Sequence, residues 1–178
     1  ALKVLVTITL VCNLVALLLV PGMSLMKGPE ELLALTPYEN PLEVPLRVGI
    51  AFVLSWGWVW TAGVYEVVLA LFLLFCGICT AVILWQGRRV LGTILTGAPF
   101  RAENGVSLRR AAVCCFLIAA AALARVVWGL FYYGSVAPLL TYNALFVPIF
   151  ILGGLLCLVM SALFRQAAEL KAENDLTI

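Results

Sequence analysis

The chain has no histidine among its 178 residues. Histidine is the commonest general base and a frequent metal ligand in proteins. Its absence argues against metalloenzymes and against hydrolases that pair a serine with a histidine. The apolar runs also offer no paired carboxylates and no activated nucleophile. We therefore expect no catalytic residue, no metal and no cofactor, and an enzyme acting on lipid is the least favoured class.

Charged residues are also scarce, at 11% of the chain, whereas 65% of the residues are hydrophobic. Soluble domains carry about 25% charged and 45–50% apolar residues. The net charge of +2 is too small to indicate a direct nucleic-acid partner. The composition therefore predicts an integral membrane protein with the lipid bilayer around it, and the length allows a single membrane domain over residues 1–178.

None of the six cysteines lies in a polar loop, so the pattern argues against a disulfide framework of the kind found in small secreted domains. Cys76 and Cys79 have the C-x-x-C spacing of redox motifs, but they lie within an apolar run. We predict that all six are core residues that pack as small hydrophobic groups. They are Cys12, Cys76, Cys79, Cys114, Cys115 and Cys157.

Four apolar runs are close to the roughly 20 residues that a helix needs to cross a bilayer. The first run follows Lys3 and resembles a signal peptide, but no small-x-small cleavage site follows it, which favours an uncleaved helix. We predict an all-α membrane protein with four transmembrane helices. The predicted helices cover about 4–20, 63–85, 111–133 and 144–170, and end near Pro21, Trp85 and Gly134.

The positive-inside rule predicts the orientation, because Lys and Arg in short loops remain in the cytoplasm. Eight basic residues lie on one side: Lys3, Arg88, Arg89, Arg101, Arg109, Arg110, Arg165 and Lys171. The other side has only Lys27 and Arg47. We therefore expect both termini, the loop 86–110 and the tail 165–178 to be cytoplasmic. The aromatic residues agree, with Trp85 at the inner boundary and Trp128, Phe131, Tyr132, Tyr133 and Tyr142 at the outer one.

The segment 42–60, between the first two predicted helices, alternates larger apolar residues at every even position with mostly smaller or polar ones at odd positions. Strict alternation is typical of a half-buried strand. One strand of this length would be too long for a small outer cap, so we predict a small extracytoplasmic β-hairpin-like segment. The alternative is that the segment extends the second span as an irregular helix.

Glu66 and Arg125 are ionisable residues within predicted spans, where such residues are costly and commonly functional. Their depths differ by about one helical turn, so a long arginine side chain can reach the carboxylate. We expect a Glu66–Arg125 ion pair that joins two helices rather than a proton pathway. The alternative places Glu66 among the outer headgroups and pairs Arg125 with backbone carbonyls.

Local patterns at the cytoplasmic side predict helix starts and packing faces. Asn104 is a favourable N-cap for the third span, with Glu103 near the positive end of that helix. Small residues at intervals of four, such as Gly153, Cys157 and Ser161, indicate close helix packing, either within the protein or in a homo-oligomer. The tail is expected to continue the fourth span as a helix.

Two cytoplasmic segments resemble those of a known family. Pro99-Phe100-x-x-Glu103-Asn104 is followed by Leu108-Arg109-Arg110, and the chain ends in Glu173-Asn174-Asp175-Leu176-Thr177-Ile178. Together with the four-span plan, these motifs look like the bacterial membrane proteins of "domain of unknown function 2975". That family has no established activity, and its members are often encoded beside a small Cro/C1-type helix-turn-helix regulator.

The resemblance implies a multi-pass protein of the bacterial plasma membrane, a sensor or regulatory partner that holds or releases such a regulator. On that hypothesis the candidate docking residues are Pro99, Phe100, Glu103, Asn104, Arg109, Arg110, Asn174, Asp175 and Leu176. The alternative is a small transporter, channel or accessory permease subunit. That alternative requires a polar pathway, for which the spans offer only scattered polar residues such as Asn13, Thr80, Glu66 and Arg125.

Overall fold

In the computed structural model every regular element is helical over the residues that the structure describes, 2–25, 44–97 and 100–175. The bounds are α1 (Leu2–Leu25), α2 (Val44–Trp58), α3 (Val64–Leu95), α4 (Ala102–Tyr133) and α5 (Tyr142–Asp175), with 3-10 turns at Val59–Thr61 and Ala137–Leu140. Four of these helices, α1, α3, α4 and α5, are long and apolar enough to cross a membrane. The prediction of four spanning helices is thus supported by length and composition.

The spanning helices extend beyond the apolar runs at one end. Helix α3 continues to Leu95 and α4 begins at Ala102, so helix occupies most of the segment 86–110. A helix of 32 residues rises about 48 Å, well beyond the ~30 Å of hydrocarbon. Helix α5 likewise continues to Asp175, which confirms that the tail extends the fourth span as a helix. These extensions carry charged residues such as Arg88, Arg89 and Arg165 among apolar ones, and they make the helices longer than the hydrocarbon alone requires.

Glycine ends α4 where the sequence indicated. Gly134 adopts the left-handed conformation (φ 59°, ψ 24°), and its N–H donates to the carbonyl of Leu130 at 3.0 Å. Only glycine adopts this conformation without a steric penalty from a Cβ atom. The chain then turns back through Ala137–Leu140 towards α5.

Proline does not end α1, which continues through Pro21 to Leu25. Proline has no N–H, so it leaves the carbonyl of Leu17 without its helical donor. Such freed groups are tolerated in membranes when nearby side chains compensate. Next to that position, Nε1 of Trp56 donates to the carbonyl of Leu18 at 3.0 Å. The indole of α2 therefore contacts the C-terminal half of α1.

The predicted β-hairpin over 42–60 is wrong. Residues 44–58 form α2, residues 59–61 form a 3-10 turn, and the described part of the chain contains no strand; positions 42 and 43 lie outside it. The segment alternates larger with smaller residues rather than apolar with polar ones. The odd positions also include apolar residues such as Val53 and Val59, so both faces of a strand would be apolar. In an apolar environment a helix satisfies its own backbone hydrogen bonds, whereas an isolated strand does not.

The chain divides into two compact units, one of residues 1–13 with 76–178 and the other of residues 14–75. Val20, Pro21, Ser55 and Val59 are buried in the second unit. In the first unit α4 is the most buried spanning helix, along a stripe of mainly small residues: Ala111, Ala112, Cys115, Ile118, Ala119, Ala122 and Val126. Small side chains allow neighbouring helices to approach closely.

Helices α4 and α5 form an antiparallel pair, and three glycines mark their closest approaches. A Cβ atom on Gly105 would lie 3.1 Å from the carbonyl oxygen of Ser161, and one on Gly154 would lie 2.9 Å from ring atoms of Phe116. At the far end, a Cβ on Gly129 would lie 3.2 Å from Pro138 in the connecting turn. The two helices therefore pack closely at Gly105 and Gly154, and the connecting turn packs against Gly129.

Candidate docking face at the basic end

Four helix ends come together within the unit of residues 1–13 and 76–178. The start of α1 lies against the end of α3, because Nζ of Lys3 is 3.8 Å from where a Cβ of Gly92 would be. The end of α3 contacts the start of α4, and the later part of α5 contacts Gly105 of α4. We call this region, which contains all eight basic residues counted above for the cytoplasmic side, the basic end.

A buried polar contact joins α3 to α4 at this end. The hydroxyl of Thr93 donates to the side-chain oxygen of Asn104 at 2.9 Å, and it also lies 2.8 Å from the carbonyl of Val90. Only 1% of Asn104 is exposed. Since buried polar groups are costly unless hydrogen-bonded, this contact fixes the relative position of the two helices.

Asn104 does not cap α4, contrary to prediction. The helix begins at Ala102, and its N-cap is Arg101, in extended conformation (φ −104°, ψ 135°) and without a side-chain capping bond. Asn104 lies in the first turn, where its side chain points to α3 instead of to its own helix. Glu103 does lie in that first turn, as predicted.

An exposed ion pair lies beside the buried contact. Arg89 and Glu103 are 3.3 Å apart, with side chains that are 50% and 64% exposed. An exposed pair of this kind typically contributes less than about 1 kcal/mol. It nonetheless neutralises one arginine of the basic end, and like the Thr93–Asn104 hydrogen bond it joins α3 to α4.

Helix α5 is attached to α4 at the same level. The hydroxyl of Ser161 donates to the carbonyl of Gly105 at 2.7 Å. The Cβ and Cγ atoms of Arg165 lie 3.8 Å from the Cβ position of Gly105, and the Arg165 guanidinium pairs with Glu169 at 3.4 Å. The beginning of the polar extension of α5 therefore lies next to the motif residues Glu103 and Asn104.

The candidate docking residues divide into one buried residue and a set of exposed ones. Asn104 is buried, whereas Phe100 is 51% exposed and Glu103, Arg109, Arg110 and Asn174 are exposed too. Asp175 is the last residue of α5. Pro99 and Leu176 lie outside the described residues. The aromatic ring of Phe100 and several charged side chains are thus accessible around the hydrogen bonds of Thr93 with Asn104 and of Ser161 with Gly105, which we call the polar junction.

The carboxylate of Glu66 folds back on the start of its own helix. A Cβ on Gly63 would lie 2.5 Å from Oε2 of Glu66, which is in the first turn of α3. A negative charge there is favourable to the helix dipole. Glu66 and Arg125 belong to different compact units, so their pairing stays a prediction.

Sequence reasoning missed Thr93 as a partner of Asn104. It lies in the segment predicted as a loop, and nothing in its neighbours marks it. Ser161 was identified only as a small packing residue, although its hydroxyl is what contacts α4.

Across the described ranges, no three His, Cys, Asp or Glu side chains are grouped so as to hold a metal ion.

Comparison with known proteins gives one match. No curated protein matches the chain, and neither does any solved structure. A family model for proteins of unknown function, DUF2975, matches residues 1–178, which is the whole chain. The chain therefore belongs to the DUF2975 family of proteins of unknown function, and its four long apolar helices fit a four-span membrane protein.

Proposed function

We propose that the protein is a regulatory partner in a bacterial plasma membrane, and that its basic end is a docking face for a small helix-turn-helix regulator. The observation that carries the proposal is the combination of a buried polar junction with exposed motif residues. Asn104, Thr93 and Ser161 hold three helices together, while Phe100, Arg109 and Arg110 remain accessible. A preorganised surface binds with a smaller entropic cost than a mobile one.

The positions of the residues that resemble the family's segments also support a docking face at the basic end. The motif residues that resemble the family's segments lie at the start of α4 and at the end of α5, and both are at the basic end. A site for transport would instead be expected among polar residues in the spans. Of the described residues, the buried polar ones are Ser55, Asn104 and Ser107. Two of these three lie at the basic end, which favours docking over transport, and a docking role requires no catalytic residue.

The basic end should face the cytoplasm, with both termini on that side, because eight basic residues lie there. We expect a fluorescent protein fused after Ile178 to fold and fluoresce, and alkaline phosphatase fused at the same position to be inactive. A phosphatase fusion with high activity would contradict this orientation and, with it, the docking proposal.

Removing residues 174–178 should strongly reduce capture of the regulator. We expect a cross-linked pull-down with the full chain from native membranes to recover a helix-turn-helix protein, and the shortened chain to recover much less. The double variant Arg109→Gln/Arg110→Gln should weaken capture as well, because it removes two exposed charges that can face the partner.

Arg47→Gln is the matched control, since it removes a basic residue on the other side of the predicted topology. Its capture should equal that of the unmodified chain. Equal recovery by the shortened chain would rule out the tail as a docking element. Recovery of permease subunits alone would favour the transport alternative, to be followed by flux measurements on Glu66→Ala and Arg125→Ala.

A further inference from the structure

Lys3 of α1 and Arg88 of α3 lie near the same face of α3 at the basic end, and neither has a carboxylate partner in the described ranges. Nζ of Lys3 in α1 lies over Gly92 of α3, 3.8 Å from its Cβ position. Arg88 is four residues before Gly92, so it lies on the same face of α3 about one turn away. Both side chains are exposed, and neither forms an ion pair with any residue in the described ranges.

Two other arginines of the basic end have a carboxylate partner. Arg89 is paired with Glu103, and Arg165 is paired with Glu169. Arg109 and Arg110 are consecutive on α4, so they point in directions about 100° apart and do not converge. Lys3 and Arg88 thus place two positive charges from different helices within about one turn of each other along α3.

Their depth corresponds to the lipid headgroups. Trp85, 67% exposed, lies on the same face of α3 and ends its apolar run. Exposed tryptophans favour the membrane–water interface. Arg88 and Gly92 follow it by about 4.5 and 10 Å along the helix axis. The headgroup layer extends about 5–7 Å beyond the hydrocarbon on each side, so Arg88 lies at the level of the phosphates and the Lys3 ammonium, beside Gly92, lies a few ångströms further out.

From this arrangement we propose that Lys3 and Arg88 form a binding site for the phosphate of an anionic phospholipid, with Trp85 against the upper acyl chain. The arginine supplies planar donors for phosphate oxygens and the lysine a point charge. Gly92 contributes by having no side chain, which lets the ammonium group lie against α3. This site is independent of the proposed regulator.

The test measures lipid retention by the full-length protein purified in detergent. Native mass spectrometry after titration with equal amounts of phosphatidylglycerol and phosphatidylcholine should show preferential retention of phosphatidylglycerol. Because each substitution removes charge-assisted hydrogen bonds to the bound phosphate, Lys3→Gln and Arg88→Gln should each lower the apparent affinity about tenfold, and the double variant about a hundredfold. The charge-preserving double variant Lys3→Arg/Arg88→Lys should keep the preference.

Arg109→Gln/Arg110→Gln is the control, because it removes the same charge at an adjacent helix end. It should leave phosphatidylglycerol retention unchanged. If it lowers retention as much as the Lys3/Arg88 double variant does, the attraction is diffuse and the site is disproved. Equal retention of the two lipids by the unmodified protein would also disprove it.

Discussion

Replacing Gly154 by leucine should destabilise the α4–α5 pair by about 2–3 kcal/mol, the upper part of the roughly 1–3 kcal/mol that overpacking a filled interface costs. A Cβ atom at this position would lie 2.9 Å from Cε1 and Cζ of Phe116. Real Cβ atoms do not approach carbon so closely, so the aromatic ring or the helices have to move. Thermal unfolding of the purified protein in detergent, followed by circular dichroism, measures the loss.

The neighbouring glycine provides a matched control. A Cβ on Gly153 has no atom within 4 Å, so Gly153→Leu adds a side chain to open space and should change the free energy of unfolding by less than about 0.5 kcal/mol. The two variants have the same composition and differ only in the face of α5 that carries the leucine. Equal melting temperatures would show that Phe116 does not pack against Gly154.

Replacing Asn104 by alanine should cost about 2–3 kcal/mol, because it removes a hydrogen-bonded side chain that is 1% exposed and leaves a cavity. Its hydrogen bond with Thr93 connects α3 to α4, so those two helix ends should also separate more readily. Limited proteolysis of the connection 96–101 should therefore be faster in Asn104→Ala, alongside a lower melting temperature.

Glu103→Ala is the adjacent control for Asn104. It removes an exposed ion pair with Arg89 and should cost less than about 1 kcal/mol. Thr93→Val completes a double-mutant cycle, in which a coupling of about 1 kcal/mol with Asn104→Ala is expected for one hydrogen bond. Additive effects of the two substitutions would mean that this bond does not contribute to stability.

Comparing Asn104→Ala with Arg109→Gln/Arg110→Gln also distinguishes residues that hold the helices together from residues that contact the regulator. If Asn104 is structural, its loss should weaken regulator capture only in proportion to the loss of folded protein. Loss of Arg109 and Arg110 should weaken capture while stability is unchanged, since both are exposed. The adjoining residues of one short motif are thus expected to respond differently to mutation.

Features that depend on composition along the chain were predictable. Apolar length alone located four helices, and Gly134 marked the end of α4 because its left-handed conformation is a local property. The concentration of Lys and Arg in the segments predicted for one side of the membrane was likewise visible in the sequence. These features do not depend on which helices are neighbours in the fold.

Other features depended on neighbours in space. Alternation over 42–60 predicted strands, but both faces are apolar, and the backbone forms α2 with its own hydrogen bonds. Pro21 was expected to end α1, yet the helix continues past it. In both cases a local propensity was overridden, because an apolar environment makes unpaired backbone groups costly.

By itself, the sequence determined that the chain belongs to the DUF2975 family, that four of its segments are long and apolar enough to cross a membrane, and that Lys and Arg are concentrated beside them on one side. Only the tertiary structure decided which motif residues are accessible. In the sequence Asn104 is a favourable helix cap, and only the structure shows its contact with Thr93 of another helix. Lys3 is an ordinary flanking charge in the sequence, and only the structure places its ammonium group against Gly92 of α3, about one turn from Arg88. The physical reason is that hydrophobic length acts along one chain segment, whereas burial and charge convergence require partners from distant segments.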